Sequence, residues 1–276
     1  MEKSEVHKAN YKHRDVQPPS PLTKKSIWKE GSYLRFVAVA SYFLLWFLVT
    51  EDGLGLVKPV TLPSPSMVLQ AAITTSSVIG IDIFYTLLRV VVGLTAGTAL
   101  GVGLGLLVCF NKKLYYFFDP LIEGMRPVPV IAMIPFFLMW FGIDEIGKFL
   151  LVTLGVFAII VINTIEGVRN VPPIYVKAAQ TLGANKIQTF RKVIVPAIIP
   201  SLIGPVRVSV AMSFTLVVAA EFMGAQAGMG YRILEARKMF NTDVIFLGVV
   251  MFGLLSGFMD ALIRKTAGYL ARWTER

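Results

Sequence analysis

Ionisable residues inside apolar stretches are the first candidates for chemistry in this sequence. Arg89 and Arg207 each lie within a long apolar run, and Glu221 lies near one end of the run that contains Arg207. A charge inside a membrane-spanning helix is costly, so it usually has a partner or lines an aqueous path. Two interpretations stay open: charges that pair helices, or cations that line a path for an anionic or zwitterionic solute. Glu123 and Arg126, at the edge of another run, favour helix pairing.

Several other kinds of chemistry are disfavoured by what the sequence lacks. No Asp or Glu lies near the middle of an apolar run, where ion-coupled carriers usually need one. The phosphate-loop pattern G-x-x-x-x-G-K-[ST], the zinc-protease motifs and the nucleophile elbow are also missing. Cys109 is the single cysteine, and both histidines, His7 and His13, lie in the polar N-terminal tail. We therefore expect no metal site and no enzyme activity, and energy for uphill transport would come from another chain.

The composition places these residues in a membrane protein. The 276 residues are 55% hydrophobic and 16% charged, with a mean hydropathy of +0.67. Such a chain needs the bilayer as part of its solvent. Its net charge of +10 comes from basic residues at the ends of apolar runs, which favours lipid rather than nucleic acid as the partner. The sequence thus predicts an all-α membrane protein.

Six apolar segments are long enough to cross a membrane, which takes about 20 residues in a helix. They are 33–51, 83–110, 121–141, 147–165, 197–222 and 244–263. Prolines 127, 129 and 135 predict a kink or an unwound turn in the third. Residues 64–80 are predicted to form a short helix at the outer surface.

The orientation follows from the distribution of Lys and Arg. Nineteen of them flank the segments on one side and five on the other, so both termini are predicted to be cytoplasmic. Three of the five lie in the 225–243 loop. The tail, residues 1–32, has the composition of a largely disordered segment, and the transmembrane domain would cover residues 33–270.

Four glycines of the second segment recur at every fourth position: Gly93, Gly97, Gly101 and Gly105. This spacing places them on one helix face, where small residues allow a neighbouring backbone to approach closely. The stripe predicts close packing inside the bundle, with lining of a solute path as the alternative.

The loop between the fourth and fifth segments is the most conspicuous polar stretch. It contains a helix-forming run with small residues at Ala178 and Ala179, and Gly183 can supply the left-handed turn that ends that helix. Pro196 follows, where the chain turns towards the membrane. The short helix could bind a groove on a partner protein, or it could lie on lipid.

The stretch "KAAQTLGANKIQTFRKVIVP" resembles the EAA loop in membrane subunits of bacterial ATP-driven importers. The Ala-Ala pair, Gly183 and Pro196 have the family's spacing, whereas Lys177 stands where the family usually has Glu. Three more stretches resemble the subfamily that imports nitrate, bicarbonate, taurine and other sulfonates. They are "LPSPSMVLQA" (62–71), "RPVPVIAMIPFFLMWFGID" (126–144) and "VAAEFMGAQAGMGYRI" (218–233).

This resemblance implies the type I ABC importer permease fold, with six transmembrane helices and a cytoplasmic coupling loop over 171–196. Two copies would form the path in the bacterial inner membrane. Two ATP-binding cassette subunits, which bind ATP and Mg, would dock on Lys177, Ala178, Ala179, Gly183 and Pro196 of each copy, and an extracytoplasmic binding protein would deliver the solute. No cofactor is expected in this chain. The solute is predicted to be taurine or another alkanesulfonate, with nitrate or bicarbonate import and an ion-coupled secondary transporter as alternatives.

Overall fold

The computed structural model describes residues 24–270, and every regular element in this range is a helix. The α-helices are α1 Lys24–Val49, α2 Pro65–Thr74, α3 Ser76–Phe110, α4 Lys112–Met125, α5 Ile134–Phe141, α6 Glu145–Arg169, α7 Pro173–Thr181, α8 Lys186–Thr189, α9 Val195–Phe222, α10 Met229–Lys238 and α11 Thr242–Leu270. A 3₁₀ turn, Val130–Met133, precedes α5, and a π turn, Phe190–Ile194, precedes α9. Residues 1–23 of the predicted tail lie outside the described range, and residues 24–32 belong to α1.

Within residues 24–270, four helical segments are long and apolar enough to cross a membrane. They are Ser76–Phe110, Glu145–Arg169, Lys186–Phe222 and Thr242–Ala267. A fifth span is possible if α4 and Val130–Phe141 are counted together, although they are bent by 92° at the break between them. The apolar part of α1, Phe36–Val49, is shorter.

The break lies inside the predicted third segment, 121–141. Residues 127–129 there are Pro-Val-Pro, and Pro129 has an extended backbone, with φ of −72° and ψ of 112°. A proline lacks the N–H that a helix interior needs, and Arg126, directly before Pro127, still has helical angles of φ −54° and ψ −50°. The helical backbone is therefore left within the Pro-Val-Pro stretch, where Pro129 is extended, and α5 follows as a separate short helix.

Other boundaries also differ from the sequence-based ones. The stretch 64–80, predicted as one outer helix, is divided between α2 and α3, and α3 begins at Ser76 rather than at residue 83. Ser64 caps α2 through its hydroxyl, which accepts from the Met67 N–H at 3.4 Å. The α2 helix therefore has its own start signal, which hydropathy does not register.

The glycine stripe of α3 lies against α6, so the prediction of close packing is confirmed. A Cβ built on Gly97 would lie 2.6 Å from Val156 Cβ, and one built on Gly101 would lie 2.8 Å from Ile160 Cβ. Only glycine permits such a short distance between the two helices. The buried residues that α3, α6 and α9 contribute around this contact include Val90, Val156, Ile160, Val210 and Leu216.

Two ends of the bundle are distinguished below. The loop end is the end that carries residues 170–194, and the α10 end is the opposite one. At the loop end Arg126 pairs with Glu166 at 2.5 Å and with Glu123 at 3.3 Å, which joins α4 to α6. The helix-pairing interpretation of Glu123 and Arg126 is thus confirmed.

Candidate functional site

A buried ion-pair network surrounds Arg89 near the α10 end. Its Nε and Nη2 atoms donate to the two carboxylate oxygens of Glu145 at 2.8 and 2.7 Å. Its Nη1 atom donates to Glu221 Oε1 at 2.7 Å and to the carbonyl of Ala227 at 2.8 Å. Arg89 is 1% exposed and Glu221 is 0% exposed. Burial of these charges is tolerated because each is paired and hydrogen-bonded.

The same network holds the start of α10. The backbone N–H groups at this start have no partner within the helix, and the helix dipole favours negative charge there. Three of them donate to side-chain oxygens of α3 and α9. The pairs are Gly228 to Asp82 at 2.8 Å, Met229 to Thr86 at 2.9 Å and Gly230 to Glu221 at 2.5 Å. The segment 223–241 is therefore fastened between the spans.

Gly228 is required at this point of close approach. Its φ is +132°, which L side chains rarely adopt, and an added Cβ would collide with the Glu221 carboxylate and lie 2.7 Å from Arg89 Nη1. Gly230 has a similar constraint, since its Cβ would lie 2.8 Å from Glu221 Oε2. The spacing G-M-G at the start of this helix was the available signal, and sequence reasoning missed it.

Cations at the α10 end have nearby acidic partners. Arg232 pairs with Asp82 at 2.8 Å, and Lys238 pairs with Glu235 at 2.7 Å. The Glu235 carboxylate accepts a hydrogen bond from Lys238 and thereby raises the pKa of its ammonium group. Two of the three cations in the predicted 225–243 loop, Arg232 and Lys238, therefore have carboxylate partners.

A cavity of about 480 Å³ lies beside the network. It is formed by α3, the start of α6 and the turn 224–227 that precedes α10. Glu145 and Lys148 both line it, and the Lys148 ammonium donates to Glu145 at 3.2 Å and to the Ile143 carbonyl. The cavity is thus bordered by charged groups that are largely paired with one another.

Arg207 lies in a separate ion pair. Its Nε and Nη2 atoms donate to the two oxygens of Asp260 at 2.7 and 3.1 Å, and Arg264 also reaches Asp260 at 3.2 Å. Arg207 is 43% exposed on its side chain. Of the three predicted path residues, the structure brings Arg89 and Glu221 together and places Arg207 between α9 and α11. Both arginines have carboxylate counter-charges.

The predicted loop helix is α7. Its end is a Schellman motif: Gly183 has φ of +81°, its N–H donates to Gln180 at 2.9 Å, and the Ala184 N–H donates to Ala179 at 3.0 Å. No residue of α7 is buried, and Lys177 and Ala178 are exposed. The residues that resemble the EAA loop therefore form a short helix with an accessible surface and a fixed end.

The chain after Gly183 is attached to the spans. Asn185 and Gln188 form a reciprocal capping box with two hydrogen bonds of 2.9 Å. The Phe190 ring packs edge-to-face on Phe110 at 5.1 Å, and the Lys186 ammonium lies 4.6 Å from the centre of the same ring. The π turn then leads into α9, with Pro196 in its first turn, where a missing N–H costs nothing.

Known proteins of similar sequence include transport permease proteins. The family described as "Binding-protein-dependent transport system inner membrane component" matches residues 97–274. A Bacillus subtilis (strain 168) protein, provisionally named aliphatic sulfonates transport permease protein SsuC, is 32% identical over 92% of this chain and 90% of its own length. The taurine transport system permease protein TauC of Escherichia coli K12 is 29% identical over 87% of this chain and 89% of its own length.

Solved structures show the same fold. The inward-facing MetNI methionine ABC transporter aligns with a TM-score of 0.59 at 22% identity, covering 68% of this chain and 94% of that one. An amino acid ABC transporter crystallised with histidines aligns with a TM-score of 0.56 at 17% identity, covering 69% of this chain and 91% of that one.

Proposed function

Because this chain belongs to the binding-protein-dependent transport system inner membrane components, and is thus a permease subunit of an ABC importer, we propose that its solute is taurine or another alkanesulfonate. The observation that carries this proposal is the similarity to SsuC and TauC over about nine-tenths of the chain. A formylaminopyrimidine transport permease protein, ThiX of Halalkalibacterium halodurans, is 28% identical over 85% of the chain, so a formylaminopyrimidine is the second candidate. Import of nitrate or bicarbonate is a further alternative.

We propose that the working unit contains two copies of this chain, two ATP-binding cassette subunits and an extracytoplasmic binding protein. ATP and Mg would be bound by the cassette subunits, because the sequence has no phosphate-loop motif of its own. The loop end would face the cytoplasm, with both termini on that side and the protein in the bacterial inner membrane. The excess of Lys and Arg on that side supports this orientation.

The coupling site would be the exposed surface of α7, with Lys177, Ala178, Ala179, Gly183 and Pro196 as its determinants. The contacts that fix α7 to the neighbouring spans support this assignment. The Schellman motif and the capping box fix the turn, and the Phe110–Phe190 contact ties it to α3. A displacement of α7 by an ATPase would therefore be passed to α3 and α9 rather than absorbed in a loose loop. The Lys177 side chain replaces the usual carboxylate, so its partner on the ATPase would carry a complementary charge.

Arg89, Glu221 and Arg207 would shape the substrate path by holding its helices. Arg89 and Glu221 fasten the segment 223–241 at the outer end, and Arg207 joins α9 to α11 through Asp260. In this proposal, helices that are joined by one of these ion pairs move together as a rigid body during alternating access.

The coupling proposal can be tested by two matched glycine substitutions. Gly183 (φ +81°) and Gly55 (φ +61°) both have a left-handed backbone and open space around the Cβ position. Valine at either position introduces comparable local strain of about 1–2 kcal/mol. We expect Gly183→Val to lose co-purification of the ATPase and ATP-driven taurine uptake, and Gly55→Val to keep both.

The same experiment can contradict the proposal. If Gly183→Val retains normal ATPase association and normal uptake, α7 is not the coupling element. If wild-type protein takes up no sulfonate but accepts another solute, the coupling assignment stands and the solute assignment is wrong.

A further inference from the structure

The charged groups that border the 480 Å³ cavity differ in how far they are exposed to it. Arg89 and Lys148 are the cations of its lining, and they are only 1% and 2% exposed. Their hydrogen bonds go to Glu145, to the buried Glu221 and to backbone carbonyls. The carboxylates of the lining are Asp144 and Glu145, so its formal charges balance. The accessible charges of the border are therefore carboxylates, because its cations are buried and already paired.

Asp144 is available to a ligand. It directly precedes α6 with an extended backbone (φ −65°, ψ 158°), the position of a helix cap, yet its side chain makes no capping hydrogen bond. Within residues 24–270 it has no ion-pair partner among the described side chains, and it is exposed. The neighbouring Glu145 is 42% exposed on its side chain although it binds Arg89 and Lys148. Two carboxylates thus border the cavity from adjacent positions.

An aromatic ring and an amide complete the border. Tyr85 is 37% exposed, and its ring lies 5.6 Å from the Arg89 guanidinium carbon, so it already serves as a partner for one cation. Carboxylates together with an aromatic face are the groups that attract an ammonium ion. Gln226 contributes a neutral amide with two N–H donors. The volume lies within the range of about 300–1,000 Å³ that is usual for small-molecule sites.

From this geometry we infer that the cavity is a site for the ammonium group of a zwitterionic solute, with Asp144 and Glu145 as the carboxylates that receive it. The inference rests on the proposed function, which it narrows from alkanesulfonates in general to amino-sulfonates. The inference also changes the expected role of Arg89. Its guanidinium group is paired with Glu145 and Glu221, so it does not contact the solute. The Gln226 amide is the donor available for the anionic end.

The test is taurine uptake into proteoliposomes that contain the complete transporter and a fixed, saturating amount of its binding protein. The variants are Asp144→Asn, which removes the charge, and Asp144→Glu, which restores it. Glu51→Gln is the matched control, because Glu51 is an exposed carboxylate in the 50–64 loop, outside the cavity border. Ethanesulfonate is the matched solute, since it lacks only the ammonium group.

The expected result is a fall of about fivefold in taurine uptake for Asp144→Asn, the upper range for one exposed ion pair. Asp144→Glu should regain most of the rate, Glu51→Gln should match the wild type, and ethanesulfonate uptake should be the same in all four proteins. Unchanged taurine uptake in Asp144→Asn, or an equal fall for taurine and ethanesulfonate, would overturn the inference. A wild-type protein that carries no sulfonate would instead overturn the proposed function.

Discussion

Replacing Gly97 by alanine tests the packing on which the whole bundle depends. The added Cβ would lie 2.6 Å from Val156 Cβ and 2.7 Å from the carbonyl oxygen of Thr153. Ordinary contacts between such atoms are about 3.5–4.0 Å. The helices α3 and α6 would therefore have to separate by roughly 1 Å along a face that glycine lines for about three turns. Gly103, on the same helix, has nothing within 4 Å of its Cβ position and is the matched control.

The two substitutions have the same effect on helix propensity, so their difference isolates the packing. Overpacking of a close-packed contact costs about 1–3 kcal/mol. Both changes gain up to about 1 kcal/mol because alanine is the better helix former. For a difference of about 2 kcal/mol between the variants, we expect Gly97→Ala to melt about 4–8 °C below Gly103→Ala.

The assay is thermal denaturation of the purified protein in detergent, followed by the fraction that remains monodisperse after heating. A melting temperature of Gly97→Ala equal to that of Gly103→Ala would refute the packing argument, because the stripe would then tolerate a side chain. Gly97→Leu, which adds three more carbon atoms, should prevent folding if the argument holds.

Three more predictions concern other contacts. Gly228→Ala should lower the melting temperature more than Gly55→Ala, because only the former places a Cβ against Glu221 and Arg89; equal effects would contradict the account of the network. Arg207→Gln and Asp260→Asn should be non-additive in a double-mutant cycle of unfolding free energies, and additivity would show that the bidentate pair contributes nothing. The Ser66 hydroxyl and N–H bind the Asp52 carboxylate and hold its pKa below the ordinary 3.8. The stabilisation by Asp52 should therefore be complete above about pH 4–5 and be lost as the pH falls through the lowered pKa, so the melting temperatures of wild type and Asp52→Asn should converge only in that acidic range.

The sequence predicts those features of the fold that are set by residues a few positions apart in the chain. The four-residue spacing of Gly93 to Gly105 defines a helix face whatever its neighbour is, and the structure supplies α6 as that neighbour. The turn at Gly183 and the break at Pro127 to Pro129 likewise depend on residues a few positions apart. Helix ends are harder to place, because polar residues at the start of α3 continue the helix beyond its apolar part.

The Arg89 network could not be predicted from the sequence in the same way. In the sequence, Arg89 is 56 residues from Glu145 and 132 residues from Glu221, and no local pattern relates these positions. Hydropathy shows that each charge needs a partner but does not say which one. The sequence predicts an outer loop with excess cations over 225–243, whereas the segment contains α10, and its cations Arg232 and Lys238 pair with Asp82 and Glu235.

The source of energy for uptake is the most direct test of the account. Proteoliposomes that contain this chain, its ATPase subunit and the binding protein should accumulate labelled taurine only when ATP reaches the loop end and the binding protein is present on the α10 side. An imposed proton or sodium gradient without ATP should drive no uptake. Accumulation that follows an ion gradient and ignores ATP would contradict the coupling role of α7 and would indicate a secondary transporter.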